Sequence, residues 1–232
     1  MLLLQHILVT KLIYKKDKEF YKILPWVILP DAIRGLGIPR ACSHFEKSQI
    51  SNKHSFLTYP TEIKNLSIKD LNDSYYIASN LPCAIGEEIS IKEYELCNSH
   101  IIDNYTYEGI KEHLRQDIVF DNFIRKLYDC KDKLSNHYIV KKTGKSINGI
   151  ELRKETLNLE NELGFYLSEK VFDEFEINVC NNWLESVIKP ILKKQYSITL
   201  YNSVKDYIKI PNIRNQVCSS KFNNLYKQLV NI

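Results

Sequence analysis

Residues 112–117 read EHLRQD and place a histidine and a carboxylate, His113 and Asp117, four positions apart. On a helix that spacing points both side chains the same way, one turn apart. Three more residues of metal-ligating type stand upstream: His6, Asp31 and His44. Asp31 and His44 flank a segment that holds two glycines and a proline. A metal centre needs several donors at one point, and helices supply them economically. Three imidazoles and two carboxylates make a mixed nitrogen–oxygen set that suits zinc, and also manganese, iron or nickel. Each residue also has a plainer reading. His-x-x-x-Asp describes the polar edge of many helices. Asp31 follows Pro30 and fits a turn or an N-cap. His44 fits a surface position, and His6, among leucines, fits a satisfied core histidine.

The elements that must position these residues read as helical. Leu3, Ile7, Leu8 and Leu12 form one stripe over 2–15, which carries His6. Glu19 to Leu29 is a second, apolar helix, limited by Pro25 and ended by Pro30. DAIRGLGIPRACSHFEKS then reads as a loop or a short turn of helix, carrying Asp31, Arg34, Arg40 and His44. Residues 50–82 read as loops with one short helix. Tyr107 to Asp129 is the strongest helical pattern, with Ile110, Leu114, Ile118, Phe120, Ile124 and Leu127 as its apolar stripe. His113, Asp117 and Asp121 follow one another along it at four-residue steps. A hairpin or extended loop is expected over 137–152. Helices resume near 153–170, 171–194, 200–208 and 220–230. No repeat or linker divides the chain, so the expectation is one mostly all-α domain over 1–232.

Composition narrows the function classes. The chain has 232 residues, 44% hydrophobic and 26% charged, which is an ordinary globular balance. A net charge of +4 and a pI near 8.6 are too mild for a nucleic-acid binder, because the cations are dispersed among 28 acids. The 15 tyrosines are scattered and form no stacking platform with Lys and Arg. Extended nucleic acid is therefore not an expected partner. Cys42, Cys83, Cys97, Cys130, Cys180 and Cys218 lie far apart, with no C-x-x-C pair. They read as reduced, mostly buried thiols of a cytoplasmic protein. The N-terminal apolar run is broken by Gln5 and His6 and has no basic region before it. Neither a signal peptide nor a membrane span is expected. Richness in Ile, Asn, Lys and Tyr fits an AT-rich genome, such as a low-GC bacterium or its phage.

The order of the motifs carries a resemblance. A histidine near the N-terminus, then ILPD after an apolar helix, then SHFE, then HLRQD resembles the zinc-dependent phospholipase C family. Single-strand nucleases with the same all-helical fold share the pattern. The similarity lies in short motifs of the first half. It implies that Asp31, His44, His113 and Asp117 hold one metal, and that Asp117 bridges to a second held with His6. The family's third site needs a later histidine and a His-x-x-x-Glu pair. After Asp117 this chain has only His137, and position 141 is Lys, so that site is not expected. Glu160 and Glu162 are candidates for an extra carboxylate, and read more simply as helix-surface acids. Family members bind metal with a processed amino terminus. With no leader evident here, an amine ligand is not expected.

What the resemblance implies chemically is hydrolysis of a phosphodiester or phosphomonoester. One or two divalent ions would activate a water for in-line attack on phosphorus. The catalytic set is then Asp117, Asp121 and Arg34. Arg34, between two ligands, would fork onto phosphate oxygens, though a loop salt bridge explains it equally. Asp121 would orient His113 or a water at the metal. A small nucleotide-like substrate is favoured over a phospholipid. The alternative is a non-catalytic helical protein of bacterial or phage type that binds a host protein or nucleotide, with a structural metal or none. Two other motifs are set aside. KKTGKSI lacks the first glycine of a phosphate-binding loop, since position 139 is Ile. The adjacent His-Asp pair of another helical phosphohydrolase family does not occur.

Overall fold

In a computed structural model, the chain is described over residues 1–38, 40–45, 63–65, 91–92, 94–95, 103–127, 137–139, 146–173, 176–210 and 219–231. The fold is all-α. Helix α1 spans Leu3–Ile13, α2 Asp17–Ala32, α3 Arg40–Ser43, α4 Asn104–Leu127 and α5 Gly149–Phe172. Then follow α6 (Ile177–Trp183), α7 (Lys189–Gln195), α8 (Ile198–Val204) and α9 (Asn223–Leu229). His137–Ile139 (β1) pairs antiparallel with Ser146–Asn148 (β2), as expected for a hairpin there. The short helix expected within 50–82 falls largely outside the described residues. A 3₁₀ turn at Ile63–Asn65 is the part that is described.

Helix α1 is buried over most of its length. The helix expected over 2–15 is present, and all eight residues from Leu3 to Thr10 are buried, so burial extends beyond the single stripe of Leu3, Ile7, Leu8 and Leu12. It packs against α2 and α5, and α2 packs in turn along α4. One apolar cluster runs through these helices to α9, from Leu4 and Ile7 through Ile28 and Leu114 to Leu163 and Leu229.

Helix α2 corrects the expectation that Pro30 ends it. It runs on to Ala32, with Pro25 and Pro30 both inside. Each proline removes one ladder donor. Burial of Leu24, Val27, Ile28 and Leu29 against the core offsets that loss. Two carbonyls of this helix also take side-chain donors. Pro25 O accepts the buried Tyr196 hydroxyl, and Val27 O accepts a histidine described below. A 3₁₀ turn, Ile33–Leu36, then ends at Gly37, whose φ of 91° suits a residue without Cβ.

Helices α2 and α4 approach closely at Gly109. A Cβ there would lie 2.6 Å from Trp26 Cβ and 3.1 Å from Ile23 O. Glycine at this position lets the two backbones close together, one turn before His113. Further along, a π turn at Leu184–Ile188 joins α6 to α7. Pro190 follows it and cannot complete an ordinary i→i−4 bond, which favours the wider turn before it.

Candidate metal centre

The structure brings His6, Asp31, His44, His113 and Asp117 to one point. Helix α1 carries His6, the last turn of α2 carries Asp31, and α4 carries His113 and Asp117. Asp31 is therefore a helical residue and not a loop or N-cap residue. His44 follows α3 directly. After it, Phe45 takes a left-handed backbone (φ 54°) while fully buried against Tyr94. Such a conformation is costly for a bulky residue and is held by its surroundings.

His6 Nε2 lies 3.3 Å from Asp117 Oδ1 and 3.9 Å from Asp31 Oδ2. His44 Nε2 lies 3.4 Å from both Asp31 Oδ1 and Asp117 Oδ2. His113 Nε2 is 3.8 Å from Asp117 Oδ2 and 3.0 Å from His44 Nε2. The His6 and His113 rings stack with centroids 4.0 Å apart. Two triads result, His6–His113–Asp117 and Asp31–His44–His113, each with donor atoms within 4.8 Å of one another. The first is fully buried and is able to hold a metal ion. The two triads share His113.

The other nitrogen of each ring explains why the Nε2 atoms converge. His113 Nδ1 lies 2.7 Å from Val27 O, which can only accept, so Nδ1 carries the hydrogen. His6 Nδ1 lies 2.8 Å from Gln116 Oε1. Gln116 Nε2 donates to Glu112 Oε1 at 2.9 Å, so the amide oxygen must be the atom that faces His6. His44 Nδ1 lies 2.7 Å from Ser43 Oγ, whose hydroxyl points to Arg40 O. With Nδ1 committed as donor, a ring in its neutral form turns its lone pair inward at Nε2. His6 Nε2 is buried and makes no hydrogen bond. Lone pairs facing carboxylates and each other are repulsive unless a cation lies between them, and this is how metal-binding histidines are usually held.

The charge states suit metal binding. Burial first, and then Arg40, lowers the His44 pKa below the ordinary histidine value. Burial first, and then His6, holds His113 well below it. Burial alone would raise Asp117, but the Met1 amine and Arg40 outweigh it and hold the carboxyl well below its usual range. Burial would also raise Asp31, but interaction with His44 first, and then with His113 and His6, lowers it: the ionised carboxylate is favoured by any proton, and equally by any cation, that sits among these rings. Neutral imidazoles and ionised carboxylates are the forms that bind metal, so no proton need leave these four groups.

The amino terminus, not expected as a metal ligand, takes a different place here, as a hydrogen-bond donor to one of the carboxylates. The Met1 amine is buried and donates to Asp117 Oδ1 at 2.6 Å. Burial would lower its pKa, but Asp117 raises it. Met1 packs its side chain into the core and Leu2 is extended, which carries the amine back toward α4. Arg40 Nη2 donates to Asp117 Oδ2 at 2.5 Å, so Asp117 has a cation on each oxygen.

The remaining predicted residues lie around this cluster. Arg34 is 46% exposed in its side chain and reaches Asp31 Oδ1 at 3.4 Å, so it stands at the rim. Asp121 does not orient His113 through Nδ1, because Val27 O holds that atom. It lies one turn beyond Asp117, near enough to raise the Met1 amine pKa. Glu162 is paired with Lys221 at the surface. Glu160 is not a surface acid: it is 1% exposed, and its charge also reaches the Met1 amine. Its i+3 and i+7 neighbours, Leu163 and Leu167, are core residues, and that pattern places Glu160 on the buried face. Sequence reasoning also passed over Gln116, fully buried between the two α4 ligands. Among the described residues no helix is long and apolar enough to cross a membrane.

Comparison with known protein families, curated proteins and solved structures finds no match for this chain.

Proposed function

We propose that the cluster is a divalent-metal centre and that the protein is a metal-dependent phosphoesterase acting on a small phosphorylated or nucleotide-like substrate. The observation that carries the reading is the inward aim of three Nε2 atoms at two ionised carboxylates, each ring locked through Nδ1. Asp31, His44, His113 and Asp117 would hold one ion, and His6 with Asp117 a second. Zinc suits this donor set best. Such ions supply Lewis acidity and a nucleophilic water at neutral pH. The chain's own part is to fix the ligands, to exclude bulk water from them, and to offer cations at the rim. Arg34 and Arg40, both partly exposed beside the ligands, would donate to the non-bridging oxygens of a phosphate. The motif order shared with the zinc-dependent phospholipase C and single-strand nuclease pattern supports the same reading.

One observation favours a second reading. Asp117 is already neutralised by the Met1 amine and Arg40. A cluster balanced in that way suits a non-catalytic helical protein in which the network is structural. Elemental analysis of purified protein separates the two readings. The enzyme reading expects one or two divalent ions per chain, and hydrolysis of a chromogenic phosphodiester that Asp117→Ala abolishes. No metal after purification, and none bound on addition, would establish the structural network instead.

A further inference from the structure

A polar chain leads away from His6 to the end of α9. Gln116 Oε1 accepts from His6 Nδ1, and Gln116 Nε2 donates to Glu112 Oε1. Glu112 is gripped by Arg115 through both oxygens, Nε to Oε2 at 2.8 Å and Nη2 to Oε1 at 2.5 Å. Arg115 in turn donates to the carbonyls of Gln228 and Leu229 at the end of α9. Every member has a defined direction. The carbonyls and the carboxylate only accept, the guanidinium only donates, and the amide must therefore turn its oxygen to His6. Burial deepens along the chain, from 23% side-chain exposure at Arg115 and 11% at Glu112 to none at Gln116 and His6.

This direction has a chemical consequence. An amide turned the other way would present an N–H to His6 Nδ1. The ring would then carry its hydrogen on Nε2 and have no lone pair toward Asp117. Resting on the metal-centre reading, we propose that Gln116 is a positioning residue. Through Glu112 and Arg115 it ties the tautomer of His6, and so its capacity as a ligand, to the docking of α9. Helix α9 thus contributes to the centre without touching it. Residues outside the ligand shell that fix a histidine tautomer typically change metal affinity 10- to 100-fold when removed.

The test uses the full chain with ¹⁵N-labelled histidine. Ring nitrogen shifts read the His6 tautomer in metal-free protein, and a Co²⁺ titration followed by visible absorption reads affinity. Wild type should show His6 as Nδ1–H. Gln116→Leu removes the acceptor and should shift the ring toward Nε2–H and weaken Co²⁺ binding about 10- to 100-fold. Glu112→Ala, at a partly exposed position, frees the amide to turn and should give mixed tautomers even if Gln116→Leu fails to fold. The pair Glu112→Gln with Gln116→Glu restores an acceptor beside His6 and should restore the Nδ1–H form. His6 unchanged as Nδ1–H in both Gln116→Leu and Glu112→Ala overturns the inference. So does a tautomer change that leaves Co²⁺ affinity at the wild-type value. If wild type binds no Co²⁺ yet the tautomer responds as expected, the metal reading falls and the positioning of His6 stands.

Discussion

His113 Nε2 faces His44 Nε2 at 3.0 Å, and the opposite nitrogen of each ring is committed, to Val27 O and to Ser43 Oγ. Two basic nitrogens are thus held together with no hydrogen assigned between them. A bound cation would turn this repulsion into attraction. Adding Zn²⁺ to metal-free protein should therefore raise the melting temperature. At a concentration about 1,000 times the dissociation constant the gain is about 4 kcal/mol. Calorimetry with and without chelator measures it, and an unchanged melting temperature across the titration would refute the proposed centre.

Asp117 carries two cations, so its removal has two costs. Asp117→Ala leaves the buried Met1 amine and Arg40 without their shared counter-ion. Breaking such a buried pair costs about 3–5 kcal/mol. Urea unfolding of the metal-free variant should show a loss of that order, and metal binding should disappear with it. Asp121→Asn, one turn along, should retain metal binding and lose less stability than Asp117→Ala. Equal losses in the two variants would remove the special place given to Asp117.

Arg40 competes with any metal for Asp117 Oδ2. Arg40→Gln should lower the stability of the metal-free protein, by less than Asp117→Ala because the Met1 amine remains. The same change should tighten metal binding and weaken the binding of inorganic phosphate to the metal-loaded protein. Isothermal titration gives both affinities. Weaker metal binding in this variant would show that Arg40 supports the ligands and does not compete.

Acid should destabilise the metal-free fold in two stages. His44 and His113 have lowered pKa values, so the unfolded chain takes up protons more readily. Their contribution is complete above the unfolded value, about 6.5, and falls as the pH drops below it. The slope is at most about 1.4 kcal/mol per pH unit for each imidazole that stays neutral. Asp31 and Asp117, also lowered, lose theirs only below about pH 4. The two stages have the same sign. Urea midpoints should fall steadily from pH 7 to pH 4, and a rise anywhere in that window contradicts the assignment.

Gly109→Ala tests the helix contact that places His113. Intrinsic propensity favours Ala in a helix by about 1 kcal/mol. The new Cβ would meet Trp26 Cβ at 2.6 Å, and neither atom can swing aside. Overpacking of this kind costs about 1–3 kcal/mol. A net loss of stability, with weaker metal binding as His113 leaves Val27 O, is expected. A variant more stable than wild type would show that α2 and α4 can part at no cost.

Much of this arrangement was legible in the sequence, for physical reasons. The period of apolar residues marks α4 and the helices after 149, because burial dictates that period. His6, Asp31, His44, His113 and Asp117 announce themselves by residue type. Three features did not. Pro30 looks like a helix end, yet packing carries α2 through it to Asp31. Gln116 has no chemistry of its own to advertise, although its place three residues after His113 puts it on the same face. The Met1 amine is part of the backbone, and only the path of Leu2 brings it to Asp117.

Helix α1 has no wet side, and this bears on kinetics. Its amides between Leu3 and Thr10 have little access to solvent, so their hydrogen exchange should await large-scale opening of the fold. His6 shares that protection. An ion held by His6 could not escape by fraying of α1. It would pass instead beneath Arg34 and Arg40, where the side chains beside the ligands are exposed. The residence time of a metal would then depend on that partly exposed rim and not on the helix behind it.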